Sequence, residues 1–293
     1  MQVKTQSDTS PLFKEGEKPV ALLIRCFVDV CYKSTPEDHK ELKGHIFCDA
    51  PLGILFIYSC AKKHLPWVDL RVLDAEALMF ENAFKGMEEN WKILIDKIVE
   101  MNPEVIGLSQ AYYKGGALFH ETCARIKAVL PEVIIVGGCN YPSDGVEVCL
   151  EDPTVDYVIQ SEGEKTFTEF LEKFFMGQDL TGIDGICYRK ENGELVVNAK
   201  KEYIPDISIL PPLDRSVVPM ELYGRGRNAI ERVEQGARFL TMIASRGCPY
   251  QCSFCSNKIF WGRSIKYRSV EDILDEISKL KYKYGARVIG FND

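Results

Sequence analysis

The stretch EVIGLSQAYYKGGALFHETCARIKAVLPEVIIVGG, Glu104–Gly138, decides the fold. Two short apolar runs, EVIGLS and VIIVGG, flank a segment in which Leu118, Thr122, Ile126 and Val129 recur at helical spacing. Continuous apolar runs of this length read as strands covered on both faces, and a helix between two of them makes the crossover unit of a parallel sheet. The same rhythm continues on either side. Upstream lie VALLIRC (Val20–Cys26), a helix entered through Pro51 in PLGILFIYSCAKKHL, a strand over Val68–Leu73, and a helix carrying Trp91, Leu94, Ile95 and Ile98 that Pro103 closes. Downstream come VDYVIQ and a helix with Phe167, Phe170, Leu171 and Phe174. That helix opens with Ser161-x-x-Glu164, a capping-box pattern, and stops at Gly177. Five strands alternating with helices predict an α/β, Rossmann-like, doubly wound parallel sheet from about Val20 to Met176. Ligands of such sheets bind beyond the carboxyl ends of the strands. The residues there are Ser109 and Gln110, Gly137 to Asn140, and Ser161 to Glu164.

Composition narrows the class. The 293 residues suggest about two domains, and 46% hydrophobic with 27% charged residues excludes a disordered chain. Forty-three acids against thirty-six bases give a net charge of -7, so no global basic field draws the chain to nucleic acid or anionic membrane. The first eighteen residues lack the apolar core of a signal peptide, and the longest apolar stretch, around Gly53 to Ala61, is too short to span a bilayer. A cytoplasmic protein is expected. Eleven cysteines, an odd number without an export signal, favour a reducing compartment with cysteine as core filler or metal ligand. Eight of them (Cys26, Cys31, Cys48, Cys60, Cys123, Cys139, Cys149, Cys187) show no ligand rhythm and are expected to pack as small apolar residues.

Beyond the sheet, GICYRKENGELVVN reads as a hairpin turning at Asn192-Gly193, and a Pro-rich connector follows. Next come a strand, FLTMIAS, a cysteine cluster, and the amphipathic helix SVEDILDEISKLKYKYG. Ser269 caps that helix, and Val270, Ile273, Leu274, Ile277 and Leu280 form its apolar face. A last strand, ARVIGF, meets Asn292-Asp293. The expected organisation is a tail at 1–19, a first domain at 20–178, hairpin and linker at 179–238, and the opening of a second α/β unit at 239–293.

Cys248, Cys252 and Cys255 stand as Cys-x3-Cys-x2-Cys in a loop after a strand. Tetrahedral zinc wants a fourth protein ligand, and no His or Cys follows; an iron–sulfur cube held by three thiolates, with one iron open, is the better reading. With Phe254 before the last cysteine, this loop resembles that of radical S-adenosylmethionine (SAM) enzymes. The resemblance implies a 4Fe-4S cluster on the three cysteines, whose unique iron binds SAM and whose electron cleaves it to a 5′-deoxyadenosyl radical. It places Phe254 near the adenine and Asn292-Asp293 near the SAM amino group. Pro51-Leu52-Gly53, Gly107 to Ser109, Val136 to Gly138 and Ser161 to Glu164 add, in that order, a resemblance to the cobalamin-binding domain of cobalamin-dependent radical SAM enzymes. That implies a corrinoid contacted by Leu52, Gly53, Ser109, Gln110, Gly137, Gly138, Glu162 and Gly163. It also implies the start of a partial (β/α) barrel, methylation of an unactivated carbon of a small-molecule or peptide substrate, and an electron donor of flavodoxin or ferredoxin type.

Two departures stand beside the resemblance. The Asp-x-His-x-x-Gly ligand motif of cobalamin domains has only Asp38-His39 with Gly44, at the wrong spacing, so cobalt without a protein imidazole is expected and His39 and His45 read as loop residues. The chain also stops after the second strand of the barrel, which reads as an N-terminal fragment that does not turn over alone. Gly224-x-Gly226-x-x-Ala229 fits a dinucleotide fingerprint but follows no strand. Arg225, Arg227, Arg232, Arg238 and Arg246, interleaved with Glu231 and Glu234, read as a solvated linker, and nucleic acid is not an expected partner. The alternatives are a radical SAM enzyme without functional cobalamin, including a methylthiotransferase with a second cluster on Cys26, Cys60 and Cys139, and a non-catalytic cofactor-binding fragment.

Overall fold

The computed structural model describes residues 12–14, 16–27, 48–82, 85–224, 237–253 and 255–293. Asp38, His39, Gly44, His45, Cys31, Phe254 and positions 225–229 of the glycine fingerprint lie outside the described residues. Five strands, β1 (Val20–Arg25), β2 (Asp69–Asp74), β3 (Val105–Ser109), β4 (Ile134–Gly138) and β5 (Tyr157–Ile159), pair in parallel. The sheet order is β2-β1-β3-β4-β5, so the chain reverses direction between β1 and β3, as a doubly wound sheet does. The hairpin strands β6 (Ile186–Arg189) and β7 (Leu195–Val197) extend this sheet antiparallel beyond β5, making seven strands. The sequence predicts this hairpin but places it outside the first domain. The pairing of Tyr157, Val158 and Ile159 with Tyr188, Cys187 and Ile186 joins it to the sheet, and that contact is invisible to local periodicity.

The apolar runs are continuous because both faces are covered. Leu22, Ile24, Ile106, Leu108 and Ile135 face one core, with Trp91, Leu94 and Ile98 of α3 (Met87–Met101) and Phe119, Cys123 and Ile126 of α4 (Gly116–Val129). Ala21, Leu23, Val105, Ile134 and Val136 face the other, under α1 (Leu52–His64) and α7 (Gly163–Phe175). Alternate residues of one strand thus feed two cores, as the two-residue period of a strand requires. Between β2 and α3 runs α2 (Ala75–Glu81), and between β4 and β5 run α5 (Asn140–Asp144) and α6 (Val146–Glu151). Ile106, fully buried at the centre, should cost about 2–5 kcal/mol when cut to Ala, measured by urea unfolding; Val99→Ala, on the 45% exposed side of α3, should cost little.

The capping box is not formed. The N-cap of α7 is Glu162 without a side-chain cap, and Ser161 holds a left-handed φ of 63°. Glu164 turns instead toward an arginine 82 positions on, described below. Gly177, with φ 63°, ends the helix as expected.

A third core joins α1, through Leu52, Leu55 and Phe56, to Val218, Met220 and Tyr223 of the connector and to Leu240, Met242 and Ile243. Here β8 (Phe239–Met242) pairs in parallel with β11 (Val288–Phe291), and β9 (Ser245–Arg246) pairs with β10 (Lys266–Tyr267). Helix α9 (Val270–Ser278) is capped by Ser269, whose hydroxyl accepts from Asp272 N, and runs on as one π turn through Lys283. Of its predicted apolar face, Ile273, Ile277 and Leu280 pack into this core, whereas Val270 and Leu274 are exposed. Among the described residues no helix is long and apolar enough to cross a membrane.

Candidate cobalamin and cluster site

A cavity of about 240 Å³ opens at the carboxyl ends of β1, β3, β4 and β5. Its inner wall is apolar, with Leu23, Ile54, Ile57, Ile159 and Phe167, and its rim is backbone and small polar groups at Ser109, Gly137–Asn140 and Ser161–Gly163. Six of the eight predicted corrinoid contacts line it: Gly53, Ser109, Gly137, Gly138, Glu162 and Gly163. Leu52 and Gln110 do not. Leu52 is buried in the third core, because a helix that turns Gly53 to the cavity points its neighbour elsewhere. Gln110 spends its side chain bracing the next loop, donating to Phe27 O and Gly115 O and accepting from Tyr112 N.

The glycines divide into two kinds. A Cβ on Gly107 would stand 2.7 Å from Leu23 Cδ2, and one on Gly137 2.9 Å from Phe119 Cζ, so these glycines permit close packing of neighbouring side chains. A Cβ on Gly53 or Gly138 would meet nothing within 4 Å, so at these two positions the backbone is bared to open space. Cys139 and Ser161, both on the lining, carry positive φ (77° and 63°) without being glycine, a strain that accumulates at ligand-binding turns. These features fit a large flat cofactor laid across the strand ends with a tail in the apolar slot. Among the described residues no histidine lines the cavity. His120 is held by Asp152 (2.6 Å) and the Tyr141 hydroxyl (2.9 Å) on α4, and His64 closes α1.

The far wall belongs to the second unit: Ile243, Arg246, Asn257, Phe260 and Trp261. The loop from β9 to α8 (Asn257–Phe260) carries Cys248, Cys252 and Cys255, the first and last half-buried and Cys252 exposed. Cys255 N donates to Cys252 O at 3.2 Å, a tight turn that brings those two residues to one side. Among the described residues no three Cys, His, Asp or Glu side chains converge on a single metal ion. Three thiols on one loop suit an iron–sulfur cluster. Six of the other cysteines are buried, and burial pushes the thiols of Cys149 and Cys187 up to about 12 and about 11, so they pack as inert small residues. Cys26 neighbours Thr122 of α4, whereas Cys60 neighbours Thr168 of α7 on the opposite face of the sheet, so they cannot share a second cluster.

Asn292 N continues the β8–β11 pairing by donating to Met242 O, and Asp293 Oδ1 accepts from Ala244 N (2.7 Å) and Ser245 N (3.0 Å). Asp293 therefore braces the turn into the cysteine loop. The glycine fingerprint has another explanation at its first position: Gly224, at φ 69°, would drive a Cβ to 2.0 Å from Phe239 O.

Sequence reasoning missed the charged group on the far wall. Arg246 and Lys266, register partners in β9 and β10, reach Glu162 and Glu164 of the first sheet. Arg246 Nη2 lies 2.6 Å from Glu164 Oε1, and Lys266 Nζ 3.2 Å from Glu162 Oε1, with all four side chains at most 4% exposed. Burial raises the Glu162 carboxyl above its ordinary range, although Ile204 N donates to it at 2.6 Å. Counting Arg246 with a solvated linker was therefore wrong, since its partners are remote in sequence. Arg238 likewise donates to Tyr223 O, Tyr284 O and Met220 O.

A second seam joins the two units at Asp49, which accepts from the Thr241 hydroxyl at 3.2 Å. Burial pushes Asp49 up to about 6, against the Thr241 bond and the charges of Arg25 and Arg215. A raised carboxyl means the folded state holds the proton longer than the unfolded one. The seam's stability is then full below about pH 4 and declines as pH rises to about 6. Asp49→Asn, which keeps the acceptor, should flatten that decline and stabilise the chain at pH 7 by about 1 kcal/mol, read as the difference between parent and variant melting profiles from pH 4 to 7.

Comparison with known proteins agrees with this geometry. Residues 56–171 match the B12 binding domain family. A protein named uncharacterized methyltransferase PH0819, from Pyrococcus horikoshii, is 29% identical over 83% of this chain and 48% of its own length. The hopanoid C-3 methylase of Methylococcus capsulatus is 49% identical over 79% of this chain and 40% of its own. The structure of the cobalamin-dependent SAM radical enzyme OxsB with aqua-cobalamin and SAM bound superposes with a TM-score of 0.69 over 94% of this chain and 34% of that one, at 21% identity, which shows the shared fold. The chain spans about half the length or less of these relatives. With a B12-binding domain over residues 56–171 and the cysteine loop after it, the chain is similar to the cobalamin-dependent radical SAM methyltransferases, of which TokK of Streptomyces tokunonensis is 31% identical over 63% of this chain and 26% of its own length.

Proposed function

We propose that this protein cleaves SAM at a 4Fe-4S cluster on Cys248, Cys252 and Cys255 and uses cobalamin held over the first sheet to methylate an unactivated carbon. One observation carries the reading: Asn257, Phe260 and Trp261, directly after Cys255, form a wall of the same cavity whose floor is the B12-binding domain. A cluster on the loop and a corrinoid in the cavity would share that wall, which radical generation followed by methyl delivery needs. The cluster would supply an electron to the SAM sulfonium, and the corrinoid a transferable methyl group. The protein's own part is holding and exclusion. The bared backbone at Gly53 and Gly138 admits the ring face, the apolar slot of Leu23, Ile57 and Phe167 keeps water from the tail, and Phe260 and Trp261 separate the slot from the loop.

The names of the relatives, methyltransferase and methylase, support methyl transfer over other radical outcomes. The substrate is a small molecule or peptide, the reductant a flavodoxin- or ferredoxin-type protein, and the setting the cytoplasm; the reducing environment that eleven cysteines and a three-thiolate cluster require supports the last. The test is anaerobic titration with hydroxocobalamin, then reconstitution with iron and sulfide and incubation with SAM and dithionite. Stoichiometric binding with a base-off spectrum, about four irons per chain and release of 5′-deoxyadenosine are expected. A folded chain that binds neither cofactor would overturn the reading.

A further inference from the structure

We propose that Arg246 is a positioning residue that fixes the cysteine loop against the corrinoid cavity. The proposal rests on the two-cofactor reading above. Arg246 stands two residues before Cys248, and Trp261 six after Cys255, so they bracket the loop that holds all three cysteines. The Arg246 guanidinium carbon lies 4.5 Å from the centre of the Trp261 ring and 4.5 Å from that of Phe56. One planar cation thus closes the loop at its base and stacks it on α1 of the B12-binding domain.

Glu164, also in that domain, pairs with the same guanidinium at 2.6 Å, while Glu162 is 3.7 Å from Nη1 and 3.2 Å from Lys266 Nζ. Buried ion pairs are weak contributors to stability, because desolvation offsets the attraction; their better-attested role is to specify one arrangement over its neighbours. The arrangement specified here is geometric. Arg246, Trp261, Glu162 and Glu164 all line the cavity, so they meet whatever fills it on one side and the loop on the other. No nitrogen of the guanidinium makes a hydrogen bond of good geometry to the protein, although the ion pair is short. The group is held by its faces and its charge, which leaves edge donors for a carbonyl or phosphate oxygen of an occupant.

The stacking contact predicts that charge alone is insufficient. Lysine at 246 retains the pairing with Glu164 but lacks the flat cation that both rings require, and leucine at 261 removes one ring and no charge. The test takes the parent chain, R246K and W261L through two measurements. In the cofactor-free chains, amide exchange across residues 247–260 is expected to speed up at least tenfold in both variants, with β1, β3 and β4 unchanged. Unchanged exchange in the loop overturns the proposal.

The second measurement takes the three chains loaded with saturating hydroxocobalamin and a reconstituted cluster, matched for iron and corrinoid per chain. The spin relaxation of the one-electron-reduced cobalt(II) corrinoid, which a reduced cluster enhances according to their separation, should be enhanced several-fold less in the variants. Equal enhancement in all three chains reduces Arg246 to a structural clamp and overturns the positioning role. If R246K loses protection in the strands as well, it has unfolded, and W261L decides. A parent that binds neither cofactor counts against the proposed function, and the exchange result still decides whether Arg246 fixes the loop.

Discussion

Gly138→Leu should abolish corrinoid binding while leaving the fold intact. The residue ends β4 on the cavity rim, its φ is not positive, and a side chain there meets no protein atom within 4 Å. Leucine at this position therefore costs the apo protein little, yet it occupies space against which a flat ring must lie. The expected loss of affinity for hydroxocobalamin is about 100-fold or more, equivalent to about 3 kcal/mol, measured by anaerobic titration at the visible bands. Gly107→Leu provides the contrast. Its Cβ would press on Leu23 and Phe167, which already pack against it, and overpacking costs about 1–3 kcal/mol. That variant should lower the midpoint of urea unfolding, whereas Gly138→Leu should not. Parental affinity in Gly138→Leu would remove the strand ends from the corrinoid site.

The second large effect concerns iron. Cys255→Ala is expected to drop the iron of the reconstituted chain from about four per chain to near zero, with reductive SAM cleavage lost and cobalamin binding kept. A cube held by three protein thiolates has no spare ligand, and the half-buried Cys255 anchors the loop end nearest the cavity wall. Cys187→Ala is the control. Fully buried in the sheet, with its thiol pushed up to about 11, Cys187 should leave iron untouched and cost only packing energy. Equal iron in the two variants would show that the cysteine spacing had been misread.

These expectations draw on different levels of the molecule. The five parallel strands were legible because a strand buried on both faces writes a continuous apolar run, and Val20–Arg25, Val105–Ser109 and Ile134–Gly138 do so plainly. The cysteine triplet was legible because its three members sit within eight residues. The glycines at the strand ends were legible as a set, but not their division into members packed against side chains and members facing open space. That division depends on whether Phe119 or open space lies opposite, and Phe119 is on a different element.

What the sequence determined by itself, then, was whatever burial imposes at the period of the backbone: element type, the parallel order and the loop that carries the thiols. What only the tertiary structure decided was the choice of partner. Ser161-x-x-Glu164 has the local form of a helix cap, yet Glu164 goes to Arg246, and the hairpin expected outside the first domain becomes the sheet edge through its pairing with Tyr157–Ile159. Local signals fix how a backbone segment buries its apolar atoms. A buried charge must find its opposite wherever the packed chain brings one, and no local pattern records that distance.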